Sequence, residues 1–244
     1  MFVLGEYHPN VVSTEPVLTE TCKTEQKFMK KGRFIVFEGL DGSGKTTQMA
    51  RIQKRLTGMG IPAETTCEPT NGPVGTLIRQ ILEGRISMDP RTLAALFAAD
   101  RTDHLVTPDT GVQALVKQGH IVLCDRYYFS SYAYHARDMD LSWVICMNAV
   151  NAKIMKPDLT LFIDVAPKIC LERIRAGRKH LDLFEKIDIL TQVRDNYFAA
   201  FERLKDQETV VVVDGNATEQ EVEQSIWHHV CRQVSLLGQK QPEN

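Results

Sequence analysis

A three-layer α/β/α sandwich around a parallel sheet of about five strands is the fold this sequence predicts. Three observations predict it. Short, nearly continuous apolar runs alternate with longer segments of helical periodicity. The first such run leads directly into a glycine-rich turn and a helix. The runs also lack the strict apolar–polar alternation of half-solvated strands, so they fit strands covered on both faces by crossover helices.

The elements follow in order. Arg33–Glu38 (RFIVFE) reads as a buried strand, and the helix after the glycine-rich turn extends to Gly58. Pro62–Thr66 is a second strand. Val74, Leu77, Ile78 and Ile81 give Gly72–Glu83 helical spacing. Asp89-Pro90 has the form of an N-cap followed by proline at the first helical position. The helical stretch that starts there breaks near Pro108 and ends at Gln118, with Gly119 closing it. His120–Asp125 (HIVLCD) is a strand, Ser130–Met155 a helix, and Leu159–Val165 (LTLFIDV) a strand. Two helical stretches follow, separated by the basic region Arg173–Lys179. Thr209–Asp214 (TVVVVD) is the last strand and Thr218–Leu237 the last helix. This predicts one domain over residues 32–237, with an aperiodic extension at 1–31, a short helical and basic lid at about 173–186, and a polar tail at 238–244.

Composition excludes several function classes. With 29 basic and 31 acidic residues the net charge is −2, so the basic excess of a broad nucleic-acid-binding surface is missing. No apolar stretch approaches the roughly 18 residues of a membrane span. The N-terminal stretch lacks the basic start and apolar run of a signal peptide. The six cysteines are widely and irregularly spaced, with no CxxC pair, which points to free thiols and a reducing cytoplasm. Small phosphorylated ligands fit these properties better than polymers.

Gly39, Leu40, Asp41, Gly42, Ser43, Gly44, Lys45 and Thr46 match GxxxxGK[ST], between a strand and a helix. Glycines let the backbone wrap a phosphate chain with its N–H groups pointing inward, and the helix N-terminus adds partial positive charge. Lys45 can reach the β- and γ-phosphates of ATP, and the Thr46 hydroxyl can meet Mg²⁺. Thr47 completes the nucleotide-binding stretch, and the fold is that of a P-loop NTPase. Asp125 and Arg126 end a strand, where the ligand crevice of a parallel sheet lies: a carboxylate for the metal and a guanidinium for phosphate. Phe97 and Arg101 share one helix face, as do Ser131, Tyr134 and His135. Taken singly, Phe97 also fits a core position. Arg173, Arg175, Arg178 and Lys179 fit either a solvated charge run or a lid that brings cations to a transferring phosphoryl group.

FEGLDGSGKTTQ (Phe37–Gln48), FAADR (Phe97–Arg101), DRYYFSSYAY (Asp125–Tyr134), KPDLTLFIDV (Lys156–Val165) and DLFEK (Asp182–Lys186) together resemble thymidylate kinases in order and spacing, over roughly residues 31–235. The resemblance implies transfer of the ATP γ-phosphoryl to dTMP, with Mg²⁺, in a homodimer. It implies that Asp41 bonds the sugar 3′-OH, Phe97 stacks on thymine, and Arg101 and Arg126 bind the dTMP phosphate. Asp125 lies near the metal, Ser131 approaches the base edge, and Tyr134 fills the space of a ribose 2′-OH; Glu68 and His135 belong to the same acceptor set. Lys45, Asp41, Asp125, Arg126 and Arg178 form the implied catalytic group. Gly42 stands where some members carry arginine, which resembles the subtype with its catalytic arginine in the lid. The sequence departs from the family at His135 (often glutamine), Leu183 (often arginine) and Cys67 (often arginine or aromatic). The alternatives are another nucleoside or deoxynucleoside monophosphate kinase, or a nucleotide-binding regulatory protein with little turnover.

Overall fold

Five strands form one sheet in the order β2-β3-β1-β4-β5, with every neighbouring pair parallel. The computed structural model describes residues 32–176 and 183–234. The strands are β1 (Arg33–Glu38), β2 (Ala63–Cys67), β3 (Ile121–Asp125), β4 (Leu159–Asp164) and β5 (Val210–Asp214). Among the described residues the helices are α1 (Lys45–Gly58), α2 (Pro73–Leu82), α3 (Pro90–Val106), α4 (Val112–Lys117), α5 (Tyr128–His135), α6 (Leu141–Ile154), α7 (Pro167–Ala176), α8 (Leu183–Leu204) and α9 (Glu219–Gln233).

The central strands are apolar on both faces because helices cover both. Phe34, Ile35, Val36 and Phe37 of β1 and Ile121, Val122 and Leu123 of β3 are fully buried. At about 1.5–3 kcal/mol for each large side chain removed from water, this spine anchors the sheet. Register brings the functional strand ends together: Phe37 and Cys67 both pair with Asp125. Glu38 and Glu68, one residue further on, therefore flank the end of β3. β1 hydrogen-bonds β3 on one side and β4 on the other, and ligands of parallel sheets bind at such a divergence.

Local chemistry sets the helix limits. Asp89 caps α3 by accepting from Arg91 N at 2.8 Å, with Pro90 in the first turn, as the sequence predicts. The break near Pro108 is present, since α3 ends at Val106 and α4 begins at Val112. The single helix predicted over Ser130–Met155 is instead two. Asp140 accepts from Ser142 N at 2.8 Å and Trp143 N at 3.2 Å, so its side chain starts a new helix where the backbone periodicity would have run on. Thr218 and Glu221 form a reciprocal capping box at the start of α9. The N-terminal extension, Arg178, Asp182 and the predicted end of the last helix lie outside the described residues. Among those that are described, no helix is long and apolar enough to cross a membrane.

Candidate active site

The loop between β1 and α1 is built around glycines whose backbone lies in the left-handed region. Gly42 has φ +81, and a Cβ placed there would lie 2.5 Å from the Cys170 carbonyl oxygen of α7. Gly44 enters α1 from the left-handed region at φ +95. The resulting turn lines a cleft of about 530 Å³ with Asp41–Thr47, Asp125, Arg126 and Arg173.

Lys45 is buried, and its Nζ donates to the carbonyls of Gly39 (3.1 Å) and Leu40 (3.0 Å). Burial and the nearby Arg126 lower its pKa to about 8, although Asp125, Asp41 and Glu38 pull the other way. The Thr46 hydroxyl donates to Asp125 Oδ2 at 2.8 Å, while Asp125 Oδ1 is buried without a protein partner. A hydroxyl and a carboxylate with an unused buried oxygen fit a hard cation that takes most of its other ligands from water and phosphate. Arg173 projects from α7 toward the loop and donates to the carbonyls of Gly42 and Gly215, each at 3.5 Å. Arg175 lies on α7 as well.

A second cleft of about 450 Å³ adjoins the first. Phe97 and His135 line it side by side in ring contact, with centroids 5.3 Å apart. His135 is buried. Desolvation, helped by Arg101, lowers its pKa to about 4, so the ring is neutral at physiological pH. Asp41, Glu68 and Arg126 line both clefts. Arg126 Nη2 donates to Asp41 Oδ1 at 2.7 Å and to the Tyr134 hydroxyl at 3.2 Å, and that hydroxyl is 3.4 Å from Asp41 Oδ2. Burial raises the Asp41 pKa, but Arg126 and Lys45 outweigh it and hold the carboxyl below its ordinary value.

Arg101 is 1% exposed. Its Nε donates to Glu68 Oε2 at 2.8 Å, its Nη2 to Ser131 Oγ at 3.2 Å, and its Nη1 to Asn148 Oδ1. His104 Nδ1 lies 3.2 Å from the other Glu68 oxygen, and its Nε2 lies 2.7 Å from Thr66 Oγ1. The structure thus gathers Asp41, Lys45, Thr46, Glu68, Phe97, Arg101, Asp125, Arg126, Ser131, Tyr134, His135 and Arg173 around two adjoining clefts. Sequence reasoning missed Glu38, His104, Ser130, Asn148 and Tyr197, which hold the site's arginines and carboxylates. Only Glu38 and Ser130 lie within motifs already singled out.

The model for the family described as thymidylate kinase matches residues 37–226. The chain belongs to the thymidylate kinase family. It is 39% identical over 194 residues to the thymidylate kinase of Ligilactobacillus salivarius, covering 76% of this chain and 91% of that protein. The thymidylate kinase of Clostridium novyi is 37% identical over 183 residues, covering 72% and 87%. A "Probable thymidylate kinase" of Methanocaldococcus jannaschii is 37% identical over 187 residues, covering 76% and 88%. The matched region contains the phosphate loop and both clefts.

Proposed function

We propose that this protein transfers the γ-phosphoryl of ATP to the phosphate of dTMP, giving dTDP and ADP. The carrying observation is the position of Arg126. It stands between Asp41 and Tyr134 in a wall shared by a phosphate-loop cleft and an aromatic cleft.

The loop N–H groups, Lys45 and the N-terminus of α1 hold the donor phosphates. Thr46 and Asp125 would hold Mg²⁺, which when bound neutralises charge on the donor phosphates. The acceptor phosphate has a second pKa near 6, so it is largely dianionic at neutral pH and needs no strong base. The residues must bring two anions into line. Arg126 spans both clefts, whereas buried Glu68 already balances the charge of Arg101. Arg126, whose partner Asp41 is the more exposed of the two carboxylates, and Arg101 beside Ser131 bind the acceptor phosphate. Phe97 stacks on thymine, neutral His135 and Ser131 face the base edge, Asp41 meets the 3′-OH, and Tyr134 occupies the space of a 2′-OH. Arg173, with Arg175 and Arg178 as the family resemblance implies, would add cations for the transferring group.

We also assign the protein to the cytoplasm, supported by the free thiols of Cys67, Cys124, Cys146, Cys170 and Cys231. A homodimer through α3 and α6 is supported by Val106, Trp143 and Val150, which are 47%, 41% and 61% exposed. Light scattering reads the mass, and Val150→Arg should shift it to the monomer. For the activity, ADP release is measured with dTMP, dUMP, dCMP, dGMP and thymidine. A marked preference for dTMP is expected. Preference for another monophosphate would leave only the broader kinase class, and release indifferent to the acceptor would overturn the assignment.

A further inference from the structure

Arg126 has a backbone conformation that its own chemistry disfavours. Its φ is +72, in the left-handed region where a Cβ crowds the following carbonyl. A non-glycine residue stays there when its surroundings over-determine it. Arg126 N donates to the Phe37 carbonyl at 2.9 Å, which fixes the residue on the β1 side. What fixes the chain after it is Glu38.

Glu38 is the last residue of β1 and is fully buried. Its Oε1 accepts from Tyr127 N at 2.9 Å and from Ser130 N at 3.1 Å, the two ends of the turn entering α5. Its Oε2 accepts from the Ser130 hydroxyl at 2.6 Å and from the Tyr197 hydroxyl at 2.9 Å. The same two hydroxyls face the guanidinium: Arg126 Nη1 lies 2.8 Å from Ser130 Oγ and 3.4 Å from the Tyr197 oxygen. Two backbone N–H groups and two hydroxyls surround the Glu38 carboxyl, a donor-rich setting that suits a carboxylate. Desolvation raises its pKa, and Arg126, Ser130, Tyr127 and Tyr197 oppose the rise.

We infer that Glu38 is a positioning residue that locks Arg126 into its left-handed conformation and, through Ser130 and Tyr197, aims the guanidinium between the two clefts. One carboxylate thus sets both the backbone and the side chain of the arginine. The consequence for turnover rests on the phosphotransfer reading above; the lock itself does not.

The test separates the two. Arg126→Ala and Arg126→Gly both remove the guanidinium, but only glycine relaxes at φ +72. Each is made alone and with Glu38→Leu, and thermal unfolding is measured. With Glu38 present, the Arg126→Gly protein should melt about 3 °C or more above the Arg126→Ala protein. After Glu38→Leu that advantage should vanish, because the Tyr127 and Ser130 N–H groups lose their acceptor and the chain after Arg126 is free to leave the left-handed turn. An advantage that survives Glu38→Leu, or is absent with Glu38 in place, overturns the inference. Should Glu38→Leu fail to fold, Glu38→Gln is read by steady-state kinetics. Gln keeps one carbonyl oxygen for the backbone N–H groups but offers the hydroxyls an amide instead of a carboxylate. KM for dTMP should rise about tenfold while KM for ATP stays within about twofold. Equal rises in both would mark a merely structural role and overturn the aiming claim. If the wild type does not phosphorylate dTMP, the functional reading falls, and the melting comparison still decides whether Glu38 is the lock.

Discussion

Acid should destabilise this protein partly through one buried ring in the acceptor cleft. His135 packs against Phe97 and has its pKa lowered from 6.5 to about 4, first by desolvation and then by Arg101. The native state therefore refuses a proton that the unfolded chain accepts. A depressed folded-state pKa gives stability that is fully present above pH 6.5 and is lost as pH falls toward about 4. With these two values the loss is about 2 kcal/mol at about pH 5 and approaches about 3 kcal/mol below the folded value. The perturbation is His135→Gln, which removes the titration and keeps hydrogen-bonding capacity toward a base. Urea unfolding of both proteins is measured at about pH 7.5, 6 and 5, and the difference between them is followed. The stability of the wild type relative to the variant should fall by about 2 kcal/mol across that range. Parallel pH profiles would refute the reasoning and mean that the ring is hydrated or paired well enough to ionise at its ordinary pKa.

Lys45→Ala should leave the fold intact and remove most activity, and the wild-type kcat/KM for ATP should decline as pH rises through about 8, where the buried ammonium loses its proton; a flat profile to higher pH would contradict this. Glu68→Ala should cost about 3–5 kcal/mol in urea unfolding, because it leaves the guanidinium of Arg101 buried and unpaired; a cost below about 1 kcal/mol would show that water reaches that charge. Tyr134→Ala should narrow the preference for dTMP over its ribo counterpart, read as a ratio of kcat/KM values, whereas Tyr134→Phe should preserve it. Phe97→Ala should weaken both substrates with little change in that ratio; the reverse pattern would mean that the sugar and base are misplaced in the cleft.

The donor side of the site was legible because its chemistry is local. A strand, a glycine-rich turn and a helix entrance are contiguous, so spacing alone locates Lys45 and Thr46. The central strands were legible because their apolar runs are unbroken. The supporting residues were hidden by distance: Tyr197 lies 71 positions from Arg126, and Asn148 lies 47 from Arg101. Each is an ordinary helix residue until the fold brings it to an arginine. Glu38 was in plain view inside the loop motif, but a carboxylate at a strand end has no periodic signature of burial. The break between α5 and α6 was obscured for a related reason. Continuous helical periodicity on both sides masks a single capping aspartate.

The contact between Gly42 and α7 also constrains what this sequence can become. An arginine in place of Gly42 would add a cation directly to the phosphate loop. That change would force a side chain into the left-handed region and drive its Cβ to 2.5 Å from the Cys170 carbonyl. The substitution becomes accessible only after α7 has first moved away from the loop. Sterics at Gly42 therefore favour a cation that approaches the loop from α7, as Arg173 does. Loss of Arg173 would not be repaired by a replacement at Gly42 alone, because α7 would have to shift as well.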